Sequence, residues 1–149
     1  MPYRALIFDD QPEIRQVLWE IFDGRGYEVF TFPHPDSCPL THENHCLCSE
    51  EQTCTDVILA DLNMPVQSGL AFLEEQIKKG CRCHHFALMS GVLSPQDIAR
   101  AKELGIRVFI KPFTIAEITA WLDEIEKKID PERNLSNWFV NKIPPPPGN

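Results

Sequence analysis

The segment Val57-Ile58-Leu59-Ala60-Asp61-Leu62-Asn63-Met64-Pro65 decides the fold. Its four leading apolar residues, bounded by turn signals, are typical of a buried strand in a parallel sheet. Pro65 has no backbone N–H and stops such a strand from continuing. Asp61 is therefore predicted at the carboxyl end of the strand, which is the edge where open α/β sheets bind their ligands.

Two further apolar runs also end in charged residues. Residues 5–8 lead into Asp9-Asp10, and residues 108–110 lead into Lys111-Pro112. Because the carboxyl ends of parallel strands meet at one edge of a sheet, we expect these groups to lie near Asp61. Three strand ends then supply three carboxylates and one lysine. Three carboxylates this close repel one another, and a hard divalent cation such as Mg²⁺ relieves that repulsion.

The rest of the chain alternates predicted strands and helices. Apolar residues at helical spacing follow the first strand and define a first helix. Further strands are predicted at residues 27–32, 56–60, 86–89 and 108–110. Further helices are predicted over residues 69–79 and 94–105 and after Thr114, which starts a capping box with Glu117. This alternation predicts an α/β fold with helices on both faces of a parallel sheet.

Composition narrows the class of protein. A chain of 149 residues with 43% hydrophobic residues is long enough for one domain with its own core. The net charge of −8 argues against nonspecific binding of nucleic acid, which needs a basic surface. No apolar run approaches the length of a membrane span, and the chain starts on a strand pattern rather than a signal peptide. We expect a cytoplasmic protein that contacts neither nucleic acid nor membrane.

The charged strand ends, taken in order, resemble the receiver domain of two-component response regulators. The matching residues are Asp9-Asp10, Asp61 in Asp-Leu-Asn-Met-Pro, Ser90 in Met-Ser-Gly, and Lys111-Pro112. The resemblance covers roughly residues 3–128. It implies a doubly wound, flavodoxin-like sheet of five parallel strands in the order 2-1-3-4-5. Residues 1–130 would form a single-domain receiver, and residues 131–149 a Pro-rich C-terminal tail.

The resemblance also implies a function. Asp61 would accept a phosphoryl group from a sensor histidine kinase or a phosphotransfer protein and so switch binding to an output protein. Asp9, Asp10, Asp61 and the backbone carbonyl of Asn63 would hold Mg²⁺. Lys111 and Ser90 would contact the phosphoryl oxygens. We expect no enzyme activity beyond self-phosphorylation and autodephosphorylation.

Two features depart from the family pattern. Receivers place an aromatic residue three positions before the lysine, but this chain has Val108 there, with Phe109 beside it. This puts the family's aromatic switch in doubt. Residues 33–55 contain three prolines and few aliphatic residues, so they cannot form an apolar helical stripe. We therefore expect a Cys-rich loop in place of helix 2.

The cysteines suggest a second site. The predicted loop contains Cys38, Cys46, Cys48 and Cys54, and Cys81 and Cys83 precede the fourth predicted strand. In a reducing compartment such clusters favour metal over disulfides. We expect structural Zn²⁺ bound by Cys38, Cys46, Cys48 and Cys54, with Cys81 or Cys83 replacing one of them if the site bridges to the fourth strand. A histidine can also take the place of a cysteine, and the candidates are His42, His45, His84 and His85. Free thiols, disulfides and an iron–sulfur centre are the alternatives.

The cysteines also leave a second function open. A metal- or redox-sensing binding module on a receiver fold would use the thiols as its input. Metal stoichiometry and redox-dependent partner binding would separate it from a phosphorelay protein.

The predicted tail carries two patterns. Residues 138–140 form an apolar patch, Trp-Phe-Val, which either docks on the domain or contacts a partner. Residues 144–147 are four prolines, which favour polyproline II and cannot join a core.

Overall fold

A central sheet of five parallel strands organises the molecule. The computed structural model describes residues 3–49 and 51–143, except the side chain of Asn141. The polyproline stretch predicted at residues 144–147 lies outside these ranges. The strands of the chain are β1 Arg4–Phe8, β2 Glu28–Phe32, β3 Gln52–Thr53, β4 Val57–Asp61, β5 His85–Ser90, β6 Arg107–Ile110 and β7 Asn134–Leu135. The large sheet has the order β2-β1-β4-β5-β6, and the short β3 and β7 pair separately. Without β3, this is the predicted order 2-1-3-4-5, which is confirmed.

Four α-helices cover the two faces of the sheet. They are α1 Pro12–Gly24, α2 Gly69–Lys78, α3 Pro95–Glu103 and α4 Ile115–Glu126. Their starts follow local chemistry. The hydroxyls of Ser68 and Ser94 accept hydrogen bonds from N–H groups in the first turns of α2 and α3. Thr114 and Glu117 form the predicted capping box.

The faces of the sheet pack against different elements. On one face, α1 and α4 bury apolar side chains such as Leu18, Phe22 and Leu122 against β1, β4 and β5. On the other, Phe72 and Leu73 of α2 share a core with the segment between β2 and β4. That segment has two 3₁₀ turns, Pro35–Ser37 and Pro39–His42, and its described residues contain no α-helix. The predicted loss of helix 2 is confirmed. Four side chains of the segment are buried in the core: Cys38, Leu40, Cys48 and Cys54.

The described part of the tail packs on the domain. β7 pairs with β3 in parallel, and Phe139 is fully buried, with its ring 5.5 Å from that of Phe30. The sequence predicts that residues 138–140 either dock on the domain or contact a partner, and in the structure they dock on the domain. No helix among the described residues is both long and apolar enough to cross a bilayer.

Candidate functional site

Three carboxylates converge at the carboxyl edge of the sheet. Asp9 follows β1 and Asp61 ends β4, and these two strands pair with Phe8 opposite Ala60. One carboxylate oxygen from each of Asp9, Asp10 and Asp61 lies within 4.8 Å of the others. Asp9 and Asp61 are buried, whereas Asp10 faces solvent. The structure thus brings together the three acids that the sequence indicated.

Backbone contacts hold Asp9 in place. Its Oδ1 accepts a hydrogen bond from the N–H of Gln11 at 2.9 Å, and its own N–H donates to the carbonyl of Phe32 at 3.1 Å. The guanidinium of Arg15 donates to the Asp9 carbonyl at 2.7 Å. These contacts join the end of β1 to the first turn of α1 and to β2, so the Asp9 carboxylate has one defined position.

Lys111 supplies the positive charge of the site. Its Nζ lies 3.0 Å from Asp9 Oδ2 and 3.2 Å from Asp61 Oδ1. Its backbone N–H donates to the carbonyl of Ser90 at 2.8 Å, which fixes the end of β6 against β5. The Lys111-Pro112 peptide bond is cis.

The charges perturb one another. The pKa of Asp61 is raised, first by burial and then by repulsion from Asp9, although the ammonium of Lys111 acts in the opposite direction. Burial alone would lower the pKa of Lys111, but its hydrogen bond to Asp9 and the attraction of both carboxylates raise it. The two carboxylates therefore favour the charged form of Lys111, whereas burial and Asp9 disfavour ionisation of Asp61.

Ser90 and Asn63 complete the predicted set. Ser90 is fully buried at the end of β5, where its Oγ donates to the Val92 carbonyl at 2.9 Å and accepts from the Val92 N–H at 3.2 Å. Asn63 Nδ2 donates to Ser90 Oγ across 3.4 Å. Both residues lie beside the acidic group, but the hydroxyl of Ser90 is hydrogen-bonded to the backbone of Val92.

The loop between β4 and α2 is tightly constrained. A Cβ on Gly69 would lie 2.1 Å from the Asp61 carbonyl oxygen, so the start of α2 approaches Asp61 as only glycine allows. Val66 adopts a φ of 74°, a left-handed conformation that is unfavourable for a β-branched residue. Backbone strain of this kind often accompanies functional loops. Sequence reasoning missed both residues, because neither a close approach nor a φ value has a signal in residue type alone.

The aromatic residue of β6 does not occupy the switch position. Val108 is half-buried on the α2 face, while Phe109 is buried on the opposite face, with its ring 5.5 Å from that of Trp121. Ile110, the last residue of β6, is 61% exposed. Phe109 is therefore a core residue of the α1 and α4 face and is not free to swing between two positions beside Lys111.

The donor set of the acidic group fits a hard cation. Three carboxylates with oxygens within 4.8 Å of one another offer the ligands that Mg²⁺ prefers. The exposure of Asp10 leaves room for the waters that Mg²⁺ retains. Among the described residues, this trio is the group whose metal-binding atoms meet within 4.8 Å of one another. The acidic group therefore suits Mg²⁺, the cation that the charged residues at the strand ends predicted.

The cysteines lie at the opposite edge of the sheet. The thiol of Cys54 contacts those of Cys48 and Cys81, and Cys46 contacts Cys48. The pKa of Cys48 is lowered to about 6, chiefly because the Cys54 thiol donates to it, helped by Cys46 and by the indole N–H of Trp138. Burial raises the pKa of Cys38 to about 12. All six cysteines are free thiols.

A well-formed cavity of the described structure lies away from the acidic group. It has a volume of about 600 Å³ and opens at the amino edge of the sheet, beside Asp56, Cys81 and Arg133. Asp56 and Arg133 are already paired with each other there, at 2.6 Å. The convergence of charged groups at the carboxyl edge is the stronger indication of a site, because three carboxylates and a lysine meet there.

This fold and this acidic edge define a receiver. The family model for the response regulator receiver domain matches residues 5–123, and the chain belongs to that family. It is 30% identical over 121 residues to sporulation initiation phosphotransferase F of Bacillus subtilis, covering 79% of this chain and 89% of that protein. It is 27% identical over 131 residues to the transcriptional activator protein PfeR of Pseudomonas aeruginosa, covering 87% of this chain but only 40% of PfeR.

Solved structures agree on the fold. The chemotaxis protein CheY4 of Vibrio cholerae superposes with a TM-score of 0.66 at 24% identity, covering 84% of this chain and 99% of that one. At this identity the likeness bears on the fold alone.

Proposed function

We propose that this chain is a phosphoacceptor receiver of a two-component phosphorelay, in which Asp61 is phosphorylated in the presence of Mg²⁺. The observation that carries the proposal is the position of the Asp61 carboxylate. It meets the carboxylates of Asp9 and Asp10 within 4.8 Å and lies 3.2 Å from Lys111 Nζ. Phosphoryl transfer to a carboxylate needs such a nucleophile, a cation and charge neutralisation.

Each site residue has a role in this proposal. Asp61 would attack phosphorus with a carboxylate oxygen, forming an acyl phosphate as the donor's leaving group departs. Lys111 Nζ, which now contacts Asp61, would contact a phosphoryl oxygen, and Ser90 would donate its hydroxyl to another. Mg²⁺ held by Asp9, Asp10, Asp61 and the carbonyl of Asn63 would neutralise negative charge in the site.

The proposed donor is a sensor histidine kinase or a phosphotransfer protein. The name of the similar Bacillus subtilis protein, a phosphotransferase of sporulation initiation, supports a place in a phosphorelay. The net charge of −8 favours protein partners over nucleic acid, and we propose a cytoplasmic location. Chemistry at the site would be limited to self-phosphorylation and autodephosphorylation.

The output is proposed to be a change in partner binding at the surface beside Ser90 and Lys111. Val92 and Ile110 are 80% and 61% exposed and lie next to these residues in the chain. Ser90 Oγ now bonds both backbone groups of Val92. Turning that hydroxyl toward a phosphoryl group would release the loop and change the exposed apolar surface. This switch needs no aromatic rotation, in keeping with the buried position of Phe109.

A structural Zn²⁺ on some of the cysteines is the second cofactor that we propose. The contacts among the Cys48, Cys54 and Cys81 thiols support it. They equally favour the alternative function, a metal- or redox-sensing module on the receiver fold. The sheet separates the cysteines from Asp61 by a five-residue strand, roughly 17 Å, so a metal there would not join phosphoryl transfer.

The proposal is tested by incubating the full chain with a small phosphodonor and measuring intact mass. We expect a gain of one phosphoryl group that requires Mg²⁺ and is lost with EDTA. Asp61→Asn should abolish the gain, whereas Asp36→Asn, an exposed aspartate of the first 3₁₀ turn, should leave it unchanged. Equal labelling of wild type and Asp61→Asn would refute the assignment.

A further inference from the structure

Four of the six cysteines form one connected group, which we call the thiol cluster: Cys46, Cys48, Cys54 and Cys81. Cys46 contacts Cys48, Cys48 contacts Cys54, and Cys54 contacts Cys81. The backbone also joins two of these chain segments, because the N–H of Cys46 donates to the Lys79 carbonyl at the end of α2, 3.0 Å away. The cluster therefore links the Cys-rich segment to the loop before β5.

A small internal cavity lies among these thiols. It has a volume of about 10 Å³ and is lined by Cys46, Cys54 and Cys81 together with the indole of Trp138. A cavity of that size holds about one atom the size of a water molecule. Between thiols it suits a single ion better than an organic ligand.

Donor groups surround the sulfurs. The backbone N–H groups of Cys48 and Arg82 donate toward Cys46, that of Cys54 toward Cys48, and that of Cys83 toward Cys81. Lys79 also lines the cavity. Backbone donors placed in this way can hydrogen-bond to metal-bound sulfur and orient it.

Trp138 provides an independent indication. Its Nε1 is buried and makes no hydrogen bond of ordinary geometry among the described residues, yet it lies close enough to act on the Cys48 thiol. A buried indole N–H without an acceptor is costly. A metal-bound thiolate at Cys48 would give it a strong acceptor.

The remaining two cysteines are engaged elsewhere. Cys83 Sγ donates to the carbonyls of Asp56 at 3.4 Å and His85 at 3.6 Å. Cys38 is fully buried, and its sulfur faces the backbone N–H of Leu40. Because Cys38 and Cys83 have these other contacts, the four cysteines of the thiol cluster are the candidate metal ligands.

We infer that Cys46, Cys48, Cys54 and Cys81 bind one structural Zn²⁺ through four thiolates, with Trp138 donating a hydrogen bond to the Cys48 sulfur. Four cysteine ligands fill a tetrahedral site and leave no position for substrate, which is the form of structural zinc. Among the described residues no three sulfurs lie mutually within 4.8 Å, so binding would draw the connected thiols inward. This inference deepens the zinc part of the proposed function and is independent of the chemistry at Asp61.

The first test is the metal content of the full chain, purified in reductant without chelator. We expect about one zinc per chain, and after exchange with Co²⁺ the absorption bands of a tetrahedral four-thiolate site. Because this measurement uses the wild-type protein, it does not depend on whether a variant folds. Zinc below about a tenth of an equivalent after incubation with excess Zn²⁺, iron in its place, or a disulfide within the cluster would overturn the inference.

Variants then test the ligand set. Cys54→Ser removes the thiol that contacts two others and should lower zinc content more than about tenfold. Cys83→Ala and His45→Ala should retain zinc, because Cys83 is bonded elsewhere and His45 is an exposed residue at the cavity wall. Loss of zinc from either control to the same extent as from Cys54→Ser would contradict the assignment.

Trp138→Phe tests the hydrogen bond to Cys48. It keeps the ring but removes the N–H, so zinc transfer to a chelator should be about tenfold faster. Trp19→Phe, a change on the exposed side of α1, is the matched control and should leave the rate unchanged. Equal rates in the two variants would remove Trp138 from the site. Asp61 labelling measured on the same samples separates failure of the zinc site from failure of the phosphoacceptor proposal.

Discussion

Asp61 is a buried carboxylate that is subject to opposing electrostatic interactions. It ends a strand in which every residue is buried, and its carboxylate is repelled by Asp9 and attracted by Lys111. Holding three carboxylates together, two of them buried, is unfavourable unless a cation or a phosphoryl group interacts with them. The local cost to stability is therefore evidence that the site has a function.

Asp61→Asn should stabilise the metal-free protein at neutral pH. Because the folded-state pKa of Asp61 is raised, its contribution to stability is present below the unfolded pKa and is lost as the pH rises through the folded value. The gain from the substitution should accordingly be largest at neutral pH and vanish in acid. Urea unfolding in EDTA at several pH values measures it. A variant less stable than wild type at neutral pH would show that repulsion is not the dominant effect.

At the scale of elements, the loop from β4 to α2 determines how closely α2 approaches Asp61. The N–H of Gly69 donates to the Leu62 carbonyl at 2.9 Å, and the absence of a Cβ lets α2 begin directly against Asp61. The close approach of α2 to the Asp61 end of β4 therefore depends on a residue with no side chain.

Gly69→Ala should destabilise the protein by about 1–3 kcal/mol, because the new methyl group would overlap backbone atoms of Asp61 that cannot move independently. Thermal or urea unfolding measures the loss. Gly24→Ala at the end of α1 is the control, since its Cβ would meet nothing within 4 Å. A change no larger in Gly69→Ala than in Gly24→Ala would mean that the loop adapts freely.

Local patterns were sufficient to predict most elements. The strand ends, the capping box at Thr114 and the missing helix after β2 depend on hydrophobic period, capping chemistry and proline content, all of which are local. The contact of Trp138 with Cys48 and the pairing of Asp56 with Arg133 join residues far apart in the chain. No local pattern encodes such pairs, so the docking of the tail and the choice among the six cysteines required the structure.

At the scale of the whole molecule, the two edges of the sheet have different tasks. The carboxyl edge gathers three carboxylates and Lys111, while buried charged groups at the amino edge join distant parts of the chain. The buried Arg4 donates to the carbonyls of Cys54 and Ser136, each at 3.0 Å. Asp56 accepts two hydrogen bonds from Arg133, at 2.7 and 2.6 Å. Although we propose that the receiver ends at residue 130, the described residues beyond it take part in the fold.

Arg133→Ala should cost about 3 kcal/mol of stability, because it leaves the buried carboxylate of Asp56 without its bidentate partner. Urea unfolding provides the measurement. Lys142→Ala removes a more exposed pair with Glu43 and should cost at most about 1 kcal/mol. If both variants lose equally little, the tail does not contribute through Asp56, and cleavage near residue 130 should leave a stable domain.

The central claim is that Asp61 is the phosphoacceptor, and the most direct measurement locates the phosphoryl group on the chain. Borohydride reduces an acyl phosphate to an alcohol, so the full chain, phosphorylated with a small donor and Mg²⁺, can be trapped and digested. Peptide mass spectrometry should find the modification at Asp61 and no modification at Asp9 or Asp10. Modification at another residue, or none in protein that demonstrably binds Mg²⁺, would contradict the account.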